Sequence, residues 1–246
     1  MKKQLLSALI LTMGLNMSPI QAAPKPPANS RMNDADYKKA IQSLEQNKLP
    51  DAIKFLNNYL KKHPKDRMAI ANRGLAYMRS RKADLALKDF NQSIAMDPKI
   101  ASSYYNRGLL YLSQTKVTQA QQDFSKTLSL DPTYLPAYYQ RANIYFQQKQ
   151  ADKAVADLNQ ILKYDPKDAQ TLNFRGFIRM KQNKLADAMK DFDSALKYQP
   201  KFGLAMANKA QVLHSQGKCK EALTWLKKSC ESGHGLACKL VKEVKC

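Results

Sequence analysis

Proline returns at Pro64, Pro98, Pro132, Pro166 and Pro200 of this 246-residue chain, and every interval is 34 residues. A fixed period of that size means that each stretch is one supersecondary unit, which buries its apolar face only by stacking on its neighbours. Other residue types keep the same step. Small residues stand at Ala40, Gly74, Gly108, Ala142, Gly176 and Ala210, and aromatics at Tyr77, Tyr111 and Tyr145. Alanines stand at Ala52, Ala86, Ala120, Ala154, Ala188 and Ala222, each followed four places on by Leu56, Phe90, Phe124, Leu158, Phe192 and Leu226. With 8 Gly and 11 Pro, the chain has little material for the many tight turns of a sheet-rich protein, so the unit is helical.

Small residue, aromatic, Ala-x3-Phe and closing proline together resemble the tetratricopeptide repeat. The resemblance covers six units, 33–66, 67–100, 101–134, 135–168, 169–202 and 203–236, with a capping helix over 237–246. It implies an all-α, right-handed superhelical solenoid of six helix-hairpin repeats. A Gly or Ala in the first helix of a unit lets the second approach closely, and Phe or Leu in the second fills the space beside the facing alanine. Asp-Pro at 97–98, 131–132 and 165–166 ends one hairpin and starts the next.

Two further ladders appear and vanish together. Arg73, Arg107, Arg141 and Arg175 precede the small residue in units two to five, and Asp89, Asp123, Asp157 and Asp191 follow sixteen places later. Units one and six have Lys39 and Lys209 at the first place and Phe55 and Trp225 at the second. The eight residues are expected to form structural ion pairs, within a hairpin or between neighbours; an anion-binding arginine row is the sharper alternative.

The chain opens with Lys2 and Lys3, an apolar run from Leu5 to Leu15, Pro19, and small or aliphatic residues up to Ala22. This order is that of a cleaved secretory signal over 1–22, cut between Ala22 and Ala23. A run of eleven residues is too short to span a bilayer as a helix. Residues 23–32 then read as a Pro-rich spacer.

All four cysteines fall near the end, at Cys219, Cys230, Cys238 and Cys246. An even count in an exported chain suggests disulfides. A final helix returning antiparallel after the turn Ser232–Gly235 would bring Cys230 to Cys238 and Cys219 to Cys246. A zinc site from Cys230, His234, Cys238 and one more cysteine is the competing reading. The Cys-x7-Cys spacing also resembles Sel-like repeats, whose cysteine pairs staple a helix hairpin.

In tetratricopeptide proteins the first helices line a concave groove. That resemblance makes Tyr105, Asn106, Leu109, Tyr139, Gln140, Asn143, Phe146, Asn173, Phe177 and Met180 the candidate ligand surface, suited to a peptide or partner helix. Part of this stripe has core packing as its simpler explanation, above all Leu109. Units three and four carry net charges of +1 each, units two and five +4 each, and residues 203–246 +5, within a formal total of +21. The basic flanks suit an acidic partner or an anionic envelope surface such as lipid or glycan. Chaperone-binding members of that family use a carboxylate clamp, but here the second place of a unit never holds its Lys, and the fifth holds Tyr37, Ala71, Tyr105, Tyr139, Asn173 and Ala207. His63, His214 and His234 are scattered, and neither a nucleophile arrangement nor a phosphate loop is present, so no enzyme activity, cofactor, metal or nucleic acid is expected. The expected function is a non-enzymatic interaction scaffold of the bacterial periplasm. Binding of anionic glycan, lipopolysaccharide or lipid, or secretion to act on host proteins, are the alternatives.

Overall fold

The computed structural model describes residues 31–244. The expected signal segment with its cut between Ala22 and Ala23, and residues 23–30 of the expected spacer, lie outside the described residues. Arg31 and Met32, expected in the spacer, begin a 3₁₀ turn, Arg31–Asn33. Thirteen α-helices follow and no strand occurs among the described residues: α1 Ala35–Glu45, α2 Leu49–Lys62, α3 Arg67–Arg79, α4 Ala83–Met96, α5 Ala101–Ser113, α6 Val117–Leu130, α7 Leu135–Gln147, α8 Ala151–Tyr164, α9 Ala169–Lys181, α10 Leu185–Tyr198, α11 Gly203–Ser215, α12 Cys219–Glu231 and α13 Gly235–Glu243. No helix among them is long and apolar enough to cross a membrane.

The chain forms two compact units, one ending at Arg141 and the other beginning at Ala142, within α7. In the first, α1/α2, α3/α4 and α5/α6 are hairpins, and α2 packs on α3 and α4 on α5. In the second, α8 packs on α9, the pairs α9/α10 and α11/α12 are hairpins, and α13 closes on α12. The protein is thus all-α, built from consecutive helix hairpins.

The hairpin turns repeat one backbone device. Asn47, Arg81, Thr115, Lys149 and Asn183 all lie in the left-handed region, at φ between +56° and +61°, and Gly217 takes the sixth place at +77°. The residue after each one donates its N–H back to the last turn of the first helix, as in Lys48 N to Ser43 O at 2.8 Å and Lys116 N to Tyr111 O at 2.9 Å. This Schellman closure satisfies carbonyls that a helix end otherwise leaves open. Between hairpins the Asp-Pro corners use side chains. Asp97 Oδ1 accepts from Lys99 N at 2.9 Å, and Asp131 Oδ1 from Thr133 N at 2.9 Å. Asp34, Asp66 and Asp168 each accept two backbone N–H groups as N-caps of α1, α3 and α9.

Inside a hairpin, volume is matched across sixteen residues. A Cβ added at Gly74, Gly108 or Gly176 would lie 2.8 Å from a ring carbon of Phe90, Phe124 or Phe192 respectively. Wherever the small residue is Ala instead, at Ala40, Ala142 and Ala210, the partner sixteen places on is the smaller Leu56, Leu158 or Leu226. All six partners are buried. The last helix differs slightly from expectation: Gly233, at φ +91°, completes the turn early. The helix therefore starts at Gly235 rather than Ala237, and Val244 is its cap.

Candidate functional site

The arginine ladder is a set of two-sided clips. Arg73 donates from Nε and Nη2 to the Asp89 carboxylate at 2.8 and 2.9 Å, and from Nη1 to Asn57 Oδ1 at 2.9 Å. Arg107 does the same with Asp123, at 2.8 Å for both bonds, and with Asn91 at 2.8 Å. Arg175 pairs with Asp191 at 3.1 and 2.6 Å and with Asn159 at 2.7 Å. The Asp lies on the arginine's own hairpin, whereas the Asn lies on the second helix of the hairpin before it. Hydrogen bonding to Asp89 and Asp123 holds Arg73 and Arg107 protonated above the usual guanidinium range. Arg141 donates to Ser125 Oγ at 3.2 Å, and Asp157 is buried in the other unit. The acceptors Asn57, Asn91, Ser125 and Asn159 keep the 34-residue step, a signal in the sequence that becomes a role only once the arginines reach them.

In the two end hairpins, where Arg and Asp are replaced, the same places form cation–aromatic contacts. Lys39 Nζ lies 5.6 Å from the Phe55 ring centroid, and Lys209 Nζ lies 4.1 Å from that of Trp225. Lys209 also pairs with Asp193.

The expected ligand surface separates into interior and accessible residues. Tyr105, Asn106, Leu109, Asn173 and Phe177 are buried and cannot line a surface as they stand, which corrects half of the candidate set. For Tyr105, Asn173 and Phe177 the covering group is a named neighbour. The ring of Tyr134, from the Asp-Pro corner, lies 4.8 Å from that of Tyr105, and burial pushes the Tyr105 hydroxyl up to about 12. Asn173 Oδ1 accepts from Asn208 Nδ2 at 2.9 Å, so this amide bonds to the next first helix instead of a ligand. Phe177 is only 2% exposed beneath Phe146, whose ring meets it edge-on at 5.6 Å.

The half-buried residues are Tyr139 and Gln140 in the first unit, and Asn143, Phe146 and Met180 in the second. Phe146 also meets Phe174 edge-on at 6.1 Å. Lys181 Nζ lies 5.2 Å from the Phe177 ring centroid, and burial lowers its ammonium below the usual lysine range. Beyond it opens a cavity of about 270 Å³ lined by Met180, Lys181, Asn183, Leu185, Gln211 and Ser215. Gln211 Oε1 is buried there and accepts no hydrogen bond. The second unit therefore brings together one half-buried apolar ring, one cation and one buried acceptor that has no donor among the described residues. A peptide supplies an apolar side chain, a carboxylate and an N–H for these groups.

At the C-terminal end Cys230 and Cys238 form a disulfide with their Cα atoms 4.6 Å apart, so neither offers a thiolate to zinc. It joins α12 to α13. The expected Cys219–Cys246 pairing ends on a residue outside the described ones.

Sequence profiles of the tetratricopeptide repeat match residues 37–99, 71–134, 111–175 and 176–235. No curated protein matches the chain. Among solved structures, YrrB, described as a tetratricopeptide protein with an unusual peptide-binding site, is 18% identical; 76% of this chain and 97% of that one are covered, with a TM-score of 0.65. A tetratricopeptide repeat protein from Parabacteroides merdae is 19% identical over 80% of this chain and 78% of its own, with a TM-score of 0.66. MamA is 20% identical over 66% and 95%, with a TM-score of 0.59. At these identities the likeness is one of fold, and it agrees with the sequence profiles, the hairpins and their 34-residue step: the chain belongs to the tetratricopeptide repeat family.

Proposed function

We propose that this chain is an exported adaptor that holds a peptide or partner helix against Phe146 and Met180 of its second unit. Tetratricopeptide repeats are in general non-enzymatic scaffolds that bind proteins or peptides. The observation that carries the finer reading is the half-buried Phe146 ring on Phe174 and Phe177, next to Lys181 and the unpartnered Gln211 acceptor. The peptide-binding site named for YrrB supports it by analogy of fold. Export rests on residues 1–22, and the bacterial periplasm is the proposed compartment.

A photo-activated crosslinker at position 146 in the native bacterium, with one at the exposed Lys99 as control, tests the site. Discrete protein adducts are expected at 146 alone, and they should vanish when Met180→Glu is added. Equal adducts at both positions, or none, overturn it. The N-terminal sequence of the periplasmic form is expected to start at Ala23.

A further inference from the structure

A second docking place lies in the first unit, on α2. An open depression of about 690 Å³ is lined, among the described residues, by Pro50, Ile53, Lys54, Asn57, Asn58, Leu60, Lys61 and, from α3, Arg73. Lys54, Asn57, Asn58 and Lys61 follow the i, i+3, i+4, i+7 spacing, so they share one face of the helix.

Asn57, Lys54 and Lys61 offer donors to this depression. Asn57 Oδ1 accepts from Arg73 Nη1 at 2.9 Å, and a guanidinium has only donors, so the Asn57 amide must point its NH₂ the other way. Arg73 is itself neutralised by Asp89. Lys54 and Lys61 are exposed, and neither pairs with a carboxylate among the described residues. The acidic residue in the first turn of α2, Asp51, does not line the depression.

No other second helix has this set. At the places corresponding to Pro50, α4 and α8 carry Asp84 and Asp152; at that of Asn57, α10 carries Asp193; at that of Lys61, α12 carries Glu231. The remaining one, α6, has no lysine at either corresponding place, Gln122 and Ser129. Charge complementarity thus singles out α2.

We propose that this face of α2 binds an acidic, extended segment of a partner protein. Lys54 and Lys61 are two helical turns apart, about 10.5 Å of rise. Two carboxylates three residues apart on a polyproline II segment stand about 9.3 Å apart on one side, close to that separation. A backbone carbonyl between them accepts from Asn57 Nδ2, and an aliphatic side chain rests on Pro50 and Ile53. The lining has aliphatic but no aromatic side chains for a sugar ring to stack on, which favours a peptide over a glycan.

The test is fluorescence anisotropy of the full chain with a labelled Gly-Glu-Leu-Pro-Glu-Leu-Gly probe. K54E/K61E is expected to weaken binding at least tenfold, while K99E/K126E, an equal change of charge elsewhere, stays within twofold. Asn57→Asp keeps an acceptor for Arg73, as Asp193 does for Lys209, so its melting midpoint should hold while binding falls at least tenfold. Equal losses in both double variants reduce the effect to general attraction and overturn the proposal. So does undiminished binding by K54E/K61E, or binding of the probe with Gln in place of Glu. Displacement by inorganic phosphate as readily as by unlabelled peptide would mark a small-anion site and overturn it too.

Discussion

At the scale of single residues, the controlling relation is the fit between a small residue and the ring or branched chain sixteen places on. Gly108 illustrates it, because an added Cβ would meet Phe124 at 2.8 Å and Phe124 is fully buried. Alanine brings about 1 kcal/mol of helix propensity over glycine, but overpacking a filled core costs about 1–3 kcal/mol. Gly108→Ala alone is expected to lower stability by about 1 kcal/mol in urea titration. Adding Phe124→Leu recreates the Ala–Leu pairing of Ala40/Leu56 and should recover most of the loss that either single change causes. Strict additivity in the double variant would contradict this size matching. The two ladders are plain in the sequence, whereas their pairing becomes meaningful only when the hairpin sets Gly108 against Phe124.

At the scale of the element, the hairpin turn demands a left-handed residue, and one hairpin supplies a costly one. Thr115 is β-branched and sits at φ +59° in an exposed turn, with its hydroxyl donating to Gln114 O at 2.6 Å. Gly217 fills the same place in the last repeat without that cost. Thr115→Gly is expected to raise stability by about 1 kcal/mol, seen as a higher urea midpoint; an unchanged or lower midpoint would contradict it. The helices themselves were legible because period, Asp-Pro corners and alanine ladder all fall on the same step. Which faces remain accessible was not. Tyr105 and Phe177 sit at groove places by register, but Tyr134 and Phe146 cover them, and the gap between neighbouring helices is a tertiary quantity. The clip acceptors Asn57, Asn91 and Asn159 are not legible in the sequence for a related reason. A polar residue on an outer helix face reads as solvated until the arginine that reaches it is in place.

At the scale of the whole molecule, the second unit carries its own closure and its own reporter. Trp225, the one tryptophan in the chain, packs in the same cluster as Cys230, Ala237 and Leu240. A short disulfide loop of this size contributes about 2.5 kcal/mol in the chain-entropy description. Replacing Cys230 and Cys238 by Ser is therefore expected to lower the denaturant midpoint followed by Trp225 fluorescence, by that order of free energy. An unmoved fluorescence transition would mean that α13 adds nothing to the unit.

The arginine clips also give the chain a grammar of joints. Each reaches back to the preceding hairpin for an acceptor, an Asn amide for Arg73, Arg107 and Arg175 and the Ser125 hydroxyl for Arg141, so the partner a repeat needs is written in the repeat before it. Excising residues 101–134 would bring Arg141 up to Asn91, an acceptor of the kind its neighbours use. Excising 169–202 would delete Asp193 and leave Lys209 facing Asn159, an ammonium without its carboxylate. Length in this protein can be edited by whole repeats at some joints and not at others.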